Sequence, residues 1–175
     1  MTRIILIGFM WAGKTTLGRA LAAETGLTFI DLDNYIELRH CKSINQIFAE
    51  RGEEGFRKIE QNLLHEVCEF EDVIISSGGG TPCFFDNIEY MNRQGTTIYL
   101  EVPHERLLER LIIAKSRRPL LKDKSNDEIS TFIEEQMQKR SPFYSQAANT
   151  FTADRLEDKI QIKESVEKFR KQFGI

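Results

Sequence analysis

The feature that most constrains the fold of this chain is a short stretch near its start that contains two glycines. Residues 8–15 read Gly8-Phe9-Met10-Trp11-Ala12-Gly13-Lys14-Thr15, which fits the pattern G-x-x-x-x-G-K-[ST]. An apolar run at residues 4–7 precedes it, and a helical pattern follows from Thr16 to Glu24. In this strand–loop–helix context such a stretch is typical of a phosphate-binding loop, or P-loop. We therefore predict a nucleotide site here, the alternative being a plain glycine-rich turn.

Each part of this loop has a physical task in binding phosphate. Glycines let successive backbone N–H groups point at one anion, and the helix N-terminus adds partial positive charge. Lys14 can reach the β- and γ-phosphates, and the Thr15 hydroxyl can ligate Mg²⁺. The sequence thus predicts ATP contacts from one continuous set of loop residues. They are Gly8, Trp11, Ala12, Gly13, Lys14, Thr15 and Thr16.

Trp11 is an unusual residue within this loop, because a small residue, often glycine, is common at its position. If the loop needs a positive φ there, a tryptophan must hold it at a cost of roughly 1–3 kcal/mol. The loop could instead rearrange and turn its N–H groups away from the phosphates. In the other alternative the indole lies outward and the backbone stays normal. We expect the outward indole, since the rest of the motif is whole.

Length and composition limit the class of protein. A chain of 175 residues predicts a single domain spanning 1–175. The formal charge of −3 argues against a nucleic-acid or membrane-surface binder, and no apolar run is long enough to cross a membrane. Cys41, Cys68 and Cys83 lack the spacing of a zinc site or disulfide framework. With no signal peptide before Ile4, we expect reduced thiols and a cytoplasmic protein.

Strand and helix patterns alternate along the whole chain. Further short apolar runs predict strands at 28–30, 73–76, 96–100 and 150–152. Helical spacing and capping signals predict helices at 14–25, 43–48, 56–68, 103–114, 127–140 and 165–173. This alternation predicts an α/β three-layer sandwich with a parallel sheet covered on both faces.

Polar and glycine-rich segments follow the second and third predicted strands. The acids of Asp31-Leu32-Asp33 come after the second strand, where ligands of open α/β sheets gather. Gly78-Gly79-Gly80 follows the third strand, which carries no acid of its own, so Asp31 is the candidate acid for a metal. The basic segment 115–124 suggests a lid over phosphates. A solvated acidic turn and ordinary flexible loops are the alternatives.

Taken together, ordered segments of the chain resemble the shikimate kinase family, within the nucleoside-monophosphate-kinase-like group of P-loop proteins. The resemblance covers most of the chain, and its segments as a series are more specific than the P-loop alone. They are the P-loop, Phe29-Ile30-Asp31-Leu32-Asp33, Gly55-Phe56-Arg57-Lys58-Ile59-Glu60, Gly78-Gly79-Gly80, Arg118-Pro119-Leu120-Leu121 and Lys139-Arg140-Ser141-Pro142-Phe143-Tyr144.

The resemblance implies a fold and an activity. The fold has five parallel strands of the P-loop NTPase type, a substrate-binding region at about 33–62 and a mobile lid at about 112–124. The activity is Mg²⁺-dependent transfer of phosphate from ATP to the 3-hydroxyl of shikimate, a step of aromatic amino-acid biosynthesis. The family also implies a monomer whose only partners are shikimate and ATP.

The resemblance also implies roles for particular residues. Substrate contacts fall on Asp33, Arg57, Gly78, Gly79, Gly80 and Arg140. The two arginines of that set would grip the substrate carboxylate, and the metal would be held through Thr15 and Asp31, in part by water. Lys14, Asp33 and Arg118 would be the catalytic residues, with Arg118 reaching the phosphates from the lid. Arg110 would stack on adenine, with further nucleotide contacts around 153–155.

Two other functions are compatible with these patterns. One is a related small-molecule kinase, such as a gluconate kinase, because the sequence does not measure the pocket. The other is a nucleotide-binding regulatory protein that has lost turnover through Trp11. The second is opposed by the retention of Lys14, Thr15, Asp31, Asp33 and Arg118, because a protein without catalysis has no chemical need for that full set.

Overall fold

The computed structural model of the protein describes residues 1–115 and 124–175. Within these ranges the chain forms one five-stranded sheet in which every neighbouring pair of strands is parallel. The strand order is β2-β3-β1-β4-β5. The strands are β1 (Arg3–Ile7), β2 (Thr28–Asp31), β3 (Val73–Ser76), β4 (Thr96–Glu101) and β5 (Asn149–Thr152). The predicted parallel sheet of five strands is confirmed.

Seven helices connect and cover these strands within the described ranges. They are α1 (Lys14–Thr25), α2 (Leu32–His40), α3 (Ile44–Val67), α4 (Asn87–Gln94), α5 (His104–Ala114), α6 (Asn126–Tyr144) and α7 (Lys159–Phe173). A short 3-10 turn, Thr81–Cys83, lies between β3 and α4. None of the helices in the described part of the chain combines the length and apolar character needed to span a bilayer.

The strand order and the handedness of parallel crossovers place these helices in two layers. The connection from β1 to β2 runs in the opposite direction across the sheet from the three later connections. Because such crossovers are right-handed, α1 lies on one face and the helices between later strands lie on the other. The terminal helix α7 packs against α1. The central strands β1 and β3 are buried along their whole length, as expected for a sheet covered on both faces.

Several local sequence signals have the predicted structural result. Helix α1 ends at Gly26, whose φ of +75° suits a residue without a Cβ. Ser43 and Gln46 form the predicted capping box at the start of α3. The gap between the predicted helices 43–48 and 56–68 is a kink at Gly52, with φ 68° and ψ −178°, and the two form one helix, α3.

Three sequence expectations about helices were wrong. The nine-residue α2 and the eight-residue α4 were not predicted at all. Helix α6 was expected to end at Arg140 before Ser141-Pro142, with residues 143–148 continuing it or forming another turn. It instead runs without a break through Pro142 to Tyr144. A proline inside a helix removes one backbone hydrogen bond, and here the packing of fully buried Tyr144 offsets that loss. As a result Arg140 and Tyr144 lie four residues apart on one side of α6.

Candidate active site

The P-loop connects β1 to α1 and has its glycines where a side chain would not fit. Gly8 and Gly13 have φ values of +144° and +96°. A Cβ on Gly13 would lie 2.3 Å from Cδ1 of Leu156, which belongs to the segment after β5. The loop is therefore packed against the C-terminal part of the chain, and only glycine allows that approach.

Lys14 folds back over the loop that it terminates. Its Nζ donates hydrogen bonds of 2.8 Å to the carbonyl oxygens of Gly8 and Phe9. The side chain is nearly buried, with 8% of the residue exposed. The ammonium group is thus held at the mouth of the loop, where the phosphates of a nucleotide would meet it.

Thr15 and Asp31, the predicted metal pair, are in direct contact. The Thr15 hydroxyl donates a 2.7 Å hydrogen bond to Oδ2 of Asp31. The other oxygen, Oδ1, accepts the N–H of Asn34 at 3.2 Å, so Asp31 also caps α2. The residues described contain no cluster of three or more histidine, cysteine, aspartate or glutamate side chains suited to a metal. One hydroxyl and one carboxylate nevertheless fit Mg²⁺, which keeps several waters and takes phosphate oxygens as further ligands.

The expectation of a normal backbone at Trp11 was wrong. Its φ is +64°, in the left-handed region that residues with a Cβ seldom adopt. The side chain is half-buried, packs against the hydrophobic core and lines the cavity described below. The loop keeps the left-handed turn at this position, and Trp11 bears the backbone strain, about 1–3 kcal/mol.

The triple glycine after β3 is surrounded by the predicted substrate residues. A Cβ on Gly78 would lie 2.9 Å from Oδ1 of Asp33, and one on Gly79 would lie 3.2 Å from Nη1 of Arg140. A Cβ on Gly80 would lie 2.7 Å from Nη2 of Arg57. One carboxylate and two guanidinium groups therefore lie close to the backbone of three consecutive residues. Only glycine leaves room for such an approach.

A buried carboxylate that the sequence analysis did not single out holds Arg57. Glu60, which is 1% exposed, accepts Nη1 of Arg57 at 2.7 Å and the hydroxyl of Thr81 at 2.6 Å. Arg57 and Glu60 are three residues apart on α3, so one helix supplies both the cation and its partner. Thr81 directly follows the triple glycine, so its hydroxyl joins this pair to the glycine segment.

Arg110 connects the P-loop to the segment after β5. One of its terminal nitrogens donates to the carbonyl oxygens of Trp11 and Ala12, each at 3.3 Å. The other donates to the carbonyl oxygens of Ala153 and Asp154 at 3.2 and 3.3 Å. Glu157 accepts two hydrogen bonds from the same guanidinium, at 2.8 and 3.0 Å.

The charge of Arg110 affects the carboxylate of Glu157. Partial burial raises the pKa of Glu157, but hydrogen bonds from Arg110 and from the Leu156 N–H outweigh it and leave the pKa below 4.5. The carboxylate is therefore ionised at neutral pH and keeps its pairing with Arg110. Sequence reasoning assigned Arg110 to adenine, and the structure adds that this arginine fixes the neighbouring backbone.

The loop, the acids and the triple glycine share one cavity of about 690 Å³. Its walls include most residues that the sequence analysis named. They are Trp11, Gly13, Lys14, Thr15, Thr16, Asp31, Asp33, Gly78, Gly79, Gly80, Arg110 and Arg140. Gly8, Ala12 and Arg57 are not among the wall residues, although Arg57 lies against Gly80, which is. Arg118 and most of the expected lid fall outside the described residues.

Six further residues line the cavity and were missed by sequence reasoning. They are Met10, Ser76, Ser77, Ile113, Leu156 and Glu157. Ser76 and Ser77 had a usable signal, because they stand at the carboxyl end of a buried strand next to the triple glycine. Ile113, Leu156 and Glu157 are brought in by helix packing and have no local signal.

Fold and cavity together define the class of protein. A parallel α/β sheet carries a P-loop, and beside it one cavity holds a hydroxyl–carboxylate pair and positively charged groups. This combination is that of a P-loop kinase acting on a small molecule.

Comparison with known proteins identifies the family within this class. The family model described as shikimate kinase matches residues 10–172. A shikimate kinase of Phocaeicola vulgatus is 59% identical over 174 residues, which cover 99% of each chain. The crystal structure of shikimate kinase from Bacteroides thetaiotaomicron superimposes with a TM-score of 0.95 at 52% identity, covering 99% of both chains. The chain therefore belongs to the shikimate kinase family.

A more distant structure of the same family carries a ligand. Shikimate kinase from Acinetobacter baumannii in complex with shikimate has a TM-score of 0.82 at 30% identity. The match covers 99% of this chain and 94% of the other. The family resemblance that the motifs indicated is thereby confirmed.

Proposed function

We propose that the protein transfers the γ-phosphoryl group of ATP to the 3-hydroxyl of shikimate, giving shikimate 3-phosphate and ADP. One observation carries this proposal: Asp33 and Arg140 both reach the triple glycine on the wall of the cavity that the P-loop lines. Family membership supports the choice of shikimate. An acceptor such as gluconate is not favoured, because the matching family model, the Phocaeicola relative and the Bacteroides structure are all of shikimate kinases.

The P-loop side of the cavity would hold the nucleotide. Lys14 lies at the loop mouth, where its charge stabilises the β- and γ-phosphates as negative charge shifts during transfer. Thr15 and Asp31 would hold Mg²⁺, with water completing the shell. When bound, the metal supplies charge neutralisation at the phosphate oxygens.

The glycine side of the cavity would hold shikimate. Planar guanidinium groups at Arg57 and Arg140 suit bidentate capture of its carboxylate. They flank Gly80 and Gly79, whose Cα atoms are consecutive and hence about 3.8 Å apart. Because the shikimate ring is rigid, holding the carboxylate at one end also fixes the hydroxyl at the other end. Binding of the carboxylate thus orients the hydroxyl for attack on the γ-phosphate.

Asp33 would act on the attacking hydroxyl. Its Oδ1 lies against Gly78, and both residues line the cavity. As the hydroxyl oxygen bonds to the γ-phosphorus, Asp33 takes the proton and the bond to the β–γ bridging oxygen breaks. ADP leaves with that electron pair.

The proposed function also carries expectations about oligomeric state, location, metal requirement and closure of the site. We propose that it works as a monomer in the cytoplasm, requires Mg²⁺ and binds no nucleic acid or membrane. The segment that includes Arg118 would close over the phosphates and exclude water as a competing acceptor.

A coupled ADP-release assay tests this function. With Mg-ATP, shikimate should stimulate ADP release well above the rate without acceptor, and EDTA should abolish the stimulation. Gluconate at the same concentration is the matched acceptor control. ADP release stimulated by gluconate and not by shikimate would contradict the substrate, and stimulation by neither would favour a nucleotide-binding regulatory protein.

A further inference from the structure

Phe84 lies directly on the guanidinium group of Arg57. The central carbon of that group is 4.0 Å from the centroid of the Phe84 ring, while the Phe56 ring is 5.2 Å away. Phe84 follows the 3-10 turn Thr81–Cys83 in an extended conformation and is half-buried. A cation placed over an aromatic face at this distance is attracted by the ring's quadrupole.

Hydrogen bonds alone leave the orientation of Arg57 incompletely fixed. Glu60 holds one terminal nitrogen at 2.7 Å. Nε is buried, makes no hydrogen bond with any described residue, and is 3.8 Å from the exposed carboxylate of Glu53. The second terminal nitrogen lies against Gly80. A guanidinium held only by its own side chain and by one hydrogen-bonded nitrogen can still tilt its plane. A flat aromatic ring packed against its face restricts that tilt.

We propose that Phe84 is a positioning residue for substrate binding, acting through Arg57. Its ring keeps the guanidinium plane in the orientation in which the edge beside Gly80 can take a substrate carboxylate. This inference rests on the proposed function, in which Arg57 grips the carboxylate of shikimate. It predicts that the aromatic face, and not merely an apolar side chain, is needed at position 84.

The chain offers a matched control in the next residue. Phe85 is 54% exposed and its ring is 5.5 Å from Nζ of Lys58, so it also contacts a cation. The proposed function gives Lys58, unlike Arg57, no contact with shikimate, and neither Phe85 nor Lys58 lines the cavity. The same substitution at Phe85 should therefore disturb an exposed cation–aromatic contact without changing substrate binding.

The experiment compares Phe84→Leu, Phe84→Tyr and Phe85→Leu. The dissociation constant for shikimate is measured by calorimetry without nucleotide, and KM and kcat are measured by coupled ADP release. Phe84→Leu should weaken shikimate binding roughly fivefold to thirtyfold, the range of a partly desolvated cation–aromatic contact. Its kcat and its KM for ATP should stay within about twofold of the wild type. Phe84→Tyr and Phe85→Leu should bind shikimate about as the wild type does.

Several results would overturn the proposal. The proposal fails if the dissociation constant of Phe84→Leu for shikimate is within twofold of the wild-type value. It also fails if Phe84→Tyr, which keeps the aromatic face, weakens shikimate binding as much as Phe84→Leu does. Equal losses at positions 84 and 85 would show a general effect of the loop. Thermal unfolding of each variant separates lost folding from lost binding. If the wild type phosphorylates shikimate and Phe84→Leu binds it equally well, only the role of Phe84 is contradicted. If the wild type neither binds nor phosphorylates shikimate, the proposed function is contradicted as well.

Discussion

The hydroxyl of Tyr144 donates a 2.6 Å hydrogen bond to the carbonyl oxygen of Gly79. Tyr144 is fully buried, and its ring stacks on Tyr99 with centroids 5.1 Å apart. Burial raises the pKa of the Tyr144 hydroxyl, so it stays protonated and able to donate. One turn earlier on α6, Arg140 lies against the same glycine. Tyr144 thus fastens α6 and the triple glycine together at the candidate substrate site.

Removal of this hydroxyl should affect both stability and substrate binding. Tyr144→Phe keeps the ring but leaves the Gly79 carbonyl without its side-chain donor. We expect the free energy of unfolding to fall by about 0.5–1.5 kcal/mol, the net contribution of a typical hydrogen bond, because this one is part-buried. The KM for shikimate should rise several-fold, because Gly79 and Arg140 are no longer held together, while the KM for ATP changes little. Urea denaturation and steady-state kinetics measure the two effects.

Tyr35→Phe is the matched control for this substitution. Tyr35 also donates a 2.6 Å hydrogen bond, to Oε1 of Glu66, but joins α2 to α3 and does not line the cavity. It should lower stability without raising the KM for shikimate. A similar rise in that KM for both variants would show that stability alone explains the effect at Tyr144.

The two acids after β2 should differ in what they do. Asp33→Asn keeps the shape but removes the group proposed to accept the proton, so kcat should fall about 10²- to 10⁴-fold with ATP binding nearly kept. Asp31→Asn alters the carboxylate that contacts Thr15 and should raise the Mg²⁺ concentration needed for half-maximal activity. Kinetics across a magnesium titration measure both.

Asp127→Asn, at an exposed position in the first turn of α6, is the control for these substitutions. It should match the wild type in kcat and in Mg²⁺ dependence. Small and equal effects from Asp31→Asn and Asp33→Asn would instead indicate that the acids form only a solvated turn.

Trp11 provides a direct probe of the P-loop. It is the only tryptophan in the chain, so its fluorescence reports on this loop alone. Since the side chain lines the cavity, Mg-ATP or Mg-ADP should change the emission saturably. Trp11→Gly relieves the strain of the positive φ but loses the packing of the indole, and these effects oppose one another. We expect nucleotide affinity to change by less than about tenfold, or roughly 1.4 kcal/mol.

A large gain in nucleotide affinity in Trp11→Gly would contradict this expectation. It would mean that the tryptophan distorts the wild-type loop and that binding energy is used to restore it. Calorimetry with Mg-ADP measures the affinity of the variant, which lacks the fluorescent reporter.

The pair formed by Arg110 and Glu157 should make stability depend on pH in the acid range. The pKa of Glu157 in the folded protein is below its ordinary value of 4.5. Its stabilising contribution is therefore fully present above pH 4.5 and is lost as the pH falls through the lower, folded-state pKa. The difference in free energy of unfolding between wild type and Glu157→Gln should shrink on acidification below pH 4.5. Urea denaturation over a pH series measures it.

Glu167→Gln serves as the control, because Glu167 is an exposed residue of α7. A Glu167→Gln difference that shrinks equally would show that the effect is not specific to the pair with Arg110. A constant difference for Glu157→Gln across the series would show that its pairing with Arg110 does not contribute to folding stability.

Tertiary packing decided several features that local sequence signals did not predict. Helix α2 has only nine residues, and its two buried side chains, Leu32 and Ile36, form too short a pattern to identify a helix. At α6 the proline signal predicted a stop, but the burial of Tyr144 and its bond to Gly79 favour continuation. Local rules describe what a segment prefers by itself, whereas these segments are fixed by what they pack against.

The same distinction applies to the site. Lys14, Thr15, Asp31, Asp33 and the triple glycine could be named from the sequence because each lies at the carboxyl end of a strand or in the segment that follows it. Parallel strands end at one edge of the sheet. The contacts of Glu60, Phe84 and Glu157 with arginines could not be predicted, because only the folded chain brings these groups together.

The sequence by itself determined the P-loop, the parallel sheet and the family. These depend on residue types at fixed spacing, and backbone geometry converts spacing directly into local structure. Only the tertiary structure decided the backbone of Trp11, the path of α6 and the partners of Arg57 and Arg110. Those features depend on distances between segments far apart in the chain, and close packing sets such distances for the molecule as a whole.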